Sequence, residues 1–179
     1  MRAALFAIIL LTAAANAEIT SSAAHGFELA HEIHVSVPRG AAWRAAVDEV
    51  DAWWSSDHTM SGDAANMAID AVPQGCFCET LGADGAVVHL TVTFVNPDVI
   101  LRMTGALGPL GLMGADGNMV WEFLEAGDGT TIRFSYAVGG YHADGLDRIA
   151  PAVDAVIGQA LQRLAAFIET GDPEPADAN

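Results

Sequence analysis

Toward the end of the chain, Leu146, Ala150, Val153, Ile157, Ala160, Leu164 and Phe167 recur at alternating steps of four and three. Asp147, Arg148, Asp154, Gln162, Arg163 and Glu169 fall elsewhere on the wheel, so the pattern predicts one long helix with a single apolar stripe. Pro151 fits only within the first turn, which sets the helix at 147–170, and Gly171 is its stop. A lone amphipathic helix cannot hide its stripe from water. What precedes it reads mostly as strands, so the stripe must lie against a sheet.

Phe27, Leu29, His31, Ile33, Val35 and Val37 alternate with Glu28, Ala30, Glu32, His34 and Ser36, which is the period of a half-buried strand ended by Pro38, Arg39 and Gly40. Over 41–54 the spacing turns helical, with Trp43, Val47, Val50 and Trp54 on one stripe and a break near 49–51 that divides it into two short helices. Six strands follow, at 67–72, 76–81, 86–95, 99–104, 118–124 and 130–138, separated by short turns rich in Gly, Asn, Asp and Pro. Strict alternation in the third puts Val88, Leu90, Val92 and Phe94 on one face and His89, Thr91 and Thr93 on the other. Consecutive strands joined by short turns pair antiparallel. The expected class is α+β.

Hydrophobic residues make up 52% of the 179-residue chain and charged residues 17%, a composition that supports one well-packed domain. The net charge is −16, from 23 acidic residues and 7 basic ones, all of them Arg. Such a surface repels phosphate backbones and anionic headgroups, which excludes nucleic acid as the expected partner. The first 17 residues read as an export leader: Arg2, the apolar run 5–11, and a small-x-small cleavage pattern at Ala15, Asn16 and Ala17. That run is too short for a stable membrane anchor, so the expectation is a secreted or periplasmic protein. Residues 18–26 show no periodicity and read as a flexible lead, 27–170 as the folded domain, and 171–179 as a disordered acidic tail.

Val35, Ser36, Val37 and Pro38, together with Trp43, Trp53 and Trp54, resemble the first strand and paired helices of the SRPBCC superfamily, which includes START lipid-transfer domains, birch-pollen-type allergens and polyketide cyclases. Three further runs (Pro73, Gln74, Gly75, Cys76, Phe77; Val95, Asn96, Pro97, Asp98, Val99, Ile100, Leu101; Gly129, Thr130, Thr131, Ile132, Arg133, Phe134) are similar to its branch of activator-of-heat-shock-ATPase homologues. The resemblance implies a helix-grip fold: a curved antiparallel sheet of six or seven strands around the C-terminal helix, with an apolar tunnel between them. It also implies a hydrophobic small-molecule partner of lipid, polyketide or aromatic type, held without cofactor or metal. A cyclase- or dehydratase-like enzyme is the alternative.

Candidate site residues follow from composition and face. Glycine at 105, 108, 111, 114 and 117, with Leu107, Leu110, Leu112 and Met113 between, makes a mobile apolar loop, either a lid over the pocket mouth or a plug in the open end of the core. Met119, Trp121 and Phe123 share one face, as do Ile132, Phe134 and Tyr136. The resemblance implies that Trp54 and Trp121 face the tunnel; Met119, Phe134 and Tyr136 are expected to line it with Leu107, Leu110 and Met113, and the Tyr136 hydroxyl needs a partner, such as a ligand oxygen. Glu79, His89 and Tyr136 are the candidates for acid–base work, Glu79 because a carboxylate in an apolar tunnel would have a raised pKa. His89, on the face of Thr91 and Thr93, reads first as solvated or hydrogen-bonded. His31 and His34 point to opposite faces and cannot chelate together. Cys76 and Cys78 share a face about 6.6 Å apart in a fully extended strand, near the upper limit for the disulfide that export would favour. Glu122 and Arg133 read as outer-face ion-pair partners.

Overall fold

The computed structural model describes residues 16–174. In chain order its elements are β1 (Asn16–Ala23), β2 (Gly26–Val35), α1 (Arg39–Trp43), α2 (Val50–Trp53), β3 (Met67–Ile69), β4 (Cys76–Leu81), β5 (Gly85–Asn96), β6 (Ile100–Gly105), β7 (Gly114–Ala126), β8 (Gly129–Tyr141) and α3 (Ala150–Thr170). The eight strands form one antiparallel sheet in the order β1-β2-β8-β7-β6-β5-β4-β3. The two short helices enter between β2 and β3, and α3 lies across the inner face. This is the expected helix-grip α+β fold with one strand more than expected.

The extra strand is β1, where the sequence shows no periodicity. Ile19 packs against the core, and the strand's sequence is otherwise small and polar, so no alternation marks it; its main chain pairs with β2. Residues 1–15 of the expected leader and 175–179 of the expected tail lie outside the described residues. Gly171 does cap α3 in the left-handed conformation (φ 79), and just beyond it Glu174 pairs with Arg163.

The predicted inner faces hold. Phe27, Leu29, Ile33 and Val35 of β2, Met119, Trp121 and Phe123 of β7, and Ile132, Phe134 and Tyr136 of β8 are all buried. Ile157, Ala160, Leu161 and Leu164 of α3 close over them. Helix α3 begins at Ala150 rather than Asp147, with Pro151 in its first turn. The stripe at 41–54 is buried as predicted, but a π-helical turn at Arg44–Asp48 and a break at Glu49 divide it. The strand expected at 67–72 ends at Ile69, and β7 starts four residues earlier than expected, absorbing Gly114 to Gly117 of the glycine loop. The rest of that loop is a short 3-10 turn at Gly108–Leu112.

Strand β5 departs most from its sequence pattern. Against β4 its register skips His89, and against β6 it skips Thr93, so the strand carries an extra residue at each place. The first skip turns His89 inward to 5% exposure and leaves Val88 61% exposed; the second leaves Phe94 outside. Strict alternation assigned all three to the wrong faces.

Candidate functional site

A cavity of about 260 Å³ opens at one end of the grip. Its walls are the first turns of α3 (Ile149, Ala152, Val153, Val156, Ile157), the segment Trp54 to Met60, Met67 of β3, His89 of β5, and Leu107 to Leu110 of the glycine loop. The lining is mostly hydrocarbon, and its ionisable groups are Asp57, His58 and His89, with no Arg among them. In size it falls just below the roughly 300–1,000 Å³ of drug-sized ligand pockets, which suits a small molecule.

Deeper in, the space is full. Trp54, Phe77, Met119, Trp121, Phe134, Ile157, Ala160 and Leu161 surround a void of only about 10 Å³. The expected tunnel is thus a mouth cavity above a packed aromatic floor. Trp121 meets Phe134 edge-on at 5.0 Å between ring centres, and Trp54 meets Phe77 in the same way at 5.5 Å. Of the residues expected to line the site, Trp54, Leu107 and Leu110 border the cavity, and Met119, Trp121 and Phe134 border the residual void. Met113 packs at the edge of the core and Tyr136 is fully buried; neither is among the lining residues of these two spaces.

The Tyr136 hydroxyl is already committed. It donates to the carbonyl of Gly105 at 2.9 Å and accepts from the N–H of Leu107 at 3.0 Å, tying β8 to the root of the glycine loop. Burial pushes its pKa up to about 12, against the pull of the Leu107 N–H, so it remains a phenol at any working pH. Both of these hydrogen bonds join it to the loop, so Tyr136 anchors the loop root. Within the loop, Leu110 is 1% exposed and plugs the core, while Leu112 is 85% exposed outside.

Glu79 and His89 do come together. Phe77 and Glu79 point inward from β4, while Cys76 and Cys78 lie on the other face, bridged by a disulfide with Cα atoms 5.4 Å apart, inside the ordinary range and closer than a fully extended strand gives. The Glu79 carboxylate, 1% exposed, accepts from the N–H of Met60 at 3.0 Å, from the N–H of Ser61, and from His89 Nε2 at 3.1 Å. Burial drives this carboxyl up, but the donors of Met60, Ser61 and His89 together outweigh it and hold it below the ordinary carboxylate value. The raised pKa expected for a carboxyl in a tunnel is reversed, because the tip of the 55–61 segment folds its N–H groups onto the oxygens. On its other side, His89 Nδ1 accepts from the N–H of Gly108 at 3.4 Å. A carboxylate can only accept and a main-chain N–H can only donate, so these partners fix the tautomer with hydrogen on Nε2. His89 is therefore hydrogen-bonded and not solvated, and it joins β5, β4 and the loop at the cavity wall.

Other ionisable groups act elsewhere. His31 is buried and its Nε2 lies 2.8 Å from Asp154 Oδ1, stitching β2 to α3, while His34 faces out. His58, at the cavity rim, pairs with Gln159 at 3.0 Å. Arg133 pairs with Glu32 on the outer face at 2.8 Å. Of the α3 wall, Val153 and Ile157 belonged to the apolar stripe read from the sequence, whereas Ile149, Ala152 and Val156 lay off it; Asp57, Thr59 and Met60 carried no periodic signal.

No protein-family model matches the chain. No curated protein matches it either. Solved structures do. A conserved protein of unknown function from Enterococcus faecalis aligns over 92% of this chain and 82% of its own, with TM-score 0.60 and 16% identity. CalU16 from Micromonospora echinospora aligns over 91% and 88%, with TM-score 0.56 and 17% identity. The Aha1 dimer from Colwellia psychrerythraea aligns over 80% and 97%, with TM-score 0.57 and 15% identity. At these identities the likeness is one of fold: the chain shares the helix-grip architecture of these proteins.

Proposed function

We propose that the chain holds a small, apolar, uncharged molecule in the mouth cavity, as a binding protein. The observation that carries this is the 260 Å³ space itself, walled by Val153, Val156, Ile157, Leu107, Leu110 and Met67. Burying hydrocarbon against such walls is favourable at roughly 25 cal/mol per Å². The charge pattern selects against anions, since Asp57 stands at the rim, ionised Glu79 lies behind His89, and no Arg borders the space. Export belongs to the same reading and is supported by the Cys76–Cys78 disulfide, which persists in oxidising compartments. The expected leader would then be absent from the exported chain, a point its N-terminal sequence settles.

Native mass spectrometry of the purified chain followed by organic extraction, and titration with an environment-sensitive apolar dye, test the reading. Val153→Trp fills the cavity from α3 and is expected to weaken dye binding at least tenfold while the fold stays intact. Unchanged binding in that variant refutes the site.

The Glu79–His89 pair supports one rival, an enzyme with His89 as proton acceptor. Against it, the Nδ1 lone pair that would face a substrate is occupied by Gly108. Turnover of a bound ligand that vanishes in His89→Ala, with binding retained, would favour the rival.

A further inference from the structure

Trp121 is 4% exposed, and its Nε1–H is buried with no hydrogen-bond partner. An indole nitrogen can only donate, and buried donors in native proteins nearly always find an acceptor. The adjoining void offers no strong one, only the weak sulfur acceptor of Met119. The void it borders is otherwise walled by the rings of Trp54, Phe77 and Phe134, the thioether of Met119, and Ile157 and Leu161. Trp54 has its own N–H turned away, donating to the His58 carbonyl at 3.0 Å. Water does not solve the problem: the void is about 10 Å³, at the threshold for one water molecule, and such a water needs two to four polar partners where Trp121 supplies one.

The acceptor must therefore arrive on something else. Trp54 and Ile157 border both the mouth cavity and this void, so the two spaces adjoin at these side chains. We propose that the cavity ligand passes Trp54 and Ile157, enters the void, and presents an uncharged carbonyl oxygen to Trp121 Nε1, as a ketone, aldehyde or ester with an apolar tail would. A carboxylate is excluded because no cation borders the void to compensate it. An alcohol is disfavoured because its own hydrogen would lack a strong acceptor there. This inference rests on the binding reading above and sharpens it into a ligand class.

The test compares 2-octanone, 2-octanol and octane by displacement of an apolar dye, with the Trp121 indole resonance followed in ¹⁵N-labelled protein and assigned by its loss in Trp121→Phe. The ketone is expected to bind about tenfold more tightly than the alkane, one hydrogen bond's worth of roughly 1.4 kcal/mol, with the alcohol between. The Trp121 indole proton moves downfield with ketone only, and in Trp121→Phe the ketone-to-alkane ratio falls to about one. Should that variant fail to fold, the indole shift in the unaltered protein decides the matter. Equal binding of ketone and alkane, or an unmoved indole signal on ketone binding, overturns the carbonyl contact alone. Failure of every probe to bind overturns the cavity reading and the contact together.

Discussion

Replacing Glu79 by Gln removes one charge and turns one acceptor oxygen into a donor, while leaving size and shape unchanged. In the native arrangement one carboxylate oxygen receives the Ser61 N–H, and the other receives the Met60 N–H and His89 Nε2–H. Whichever way the amide is turned, at least one buried donor meets an –NH₂ group, at a cost of about 1–3 kcal/mol, and each surviving bond drops from charge-assisted to neutral, losing about 1 kcal/mol more. Relief from burying a charge offsets part of this, which leaves a net destabilisation of about 3 kcal/mol. The folded pKa of Glu79 lies below its ordinary value of 4.5. The carboxylate's contribution is therefore complete above that value and is lost as pH falls through the folded pKa. Gln does not titrate, so the stability gap between the two proteins should be constant from neutral pH to about 5 and narrow below it. Urea denaturation followed by tryptophan fluorescence at several pH values measures that gap. A difference below about 0.5 kcal/mol at neutral pH, or one that widens in acid, refutes the account of Glu79 as an ionised buried acceptor.

Tyr136→Phe leaves the Gly105 carbonyl and the Leu107 N–H without their shared hydroxyl, and is expected to cost about 1–3 kcal/mol in urea denaturation. The same change should speed ligand release in stopped-flow measurements, because β8 no longer holds the loop root. Gly108 sits at φ +57 with open space around its missing side chain, so Gly108→Ala costs about 1 kcal/mol through backbone strain alone, measurable as a lower denaturation midpoint.

Long, unbroken patterns were legible in the sequence. The stripe from Leu146 to Leu164 fixed a helix that needed a sheet, and the alternation of Met119, Trp121 and Phe123 with that of Ile132, Phe134 and Tyr136 fixed two inner faces. What stayed hidden was whatever broke the period. His89 turns inward only because β5 carries an extra residue opposite β4, and no composition signal marks that position. β1 pairs with β2 through its main chain, and its mostly small and polar sequence left almost no trace in hydropathy. The pKa of Glu79 depends on where the 55–61 segment folds back, a tertiary fact. Tyr136 was rightly placed on an inner face, but whether its hydroxyl met a ligand or the loop could not be read from alternation.

Where the cavity lies follows from how side-chain bulk is distributed along the grip. Trp53, Trp54, Trp121, Phe77 and Phe134 gather in the depth of the sheet and leave almost nothing between them. At the other end α3 offers Ala152, Val153 and Val156, which are too short to reach the loop across from them. Wall atoms there face a space open at its mouth instead of side chains, and so forgo packing contacts that the aromatic floor makes. A molecule that fills the space restores those contacts in the folded state and has no matching site in the unfolded chain. If the cavity holds a ligand as proposed, occupancy raises the unfolding free energy with ligand concentration, a shift that thermal denaturation with and without the apolar dye measures.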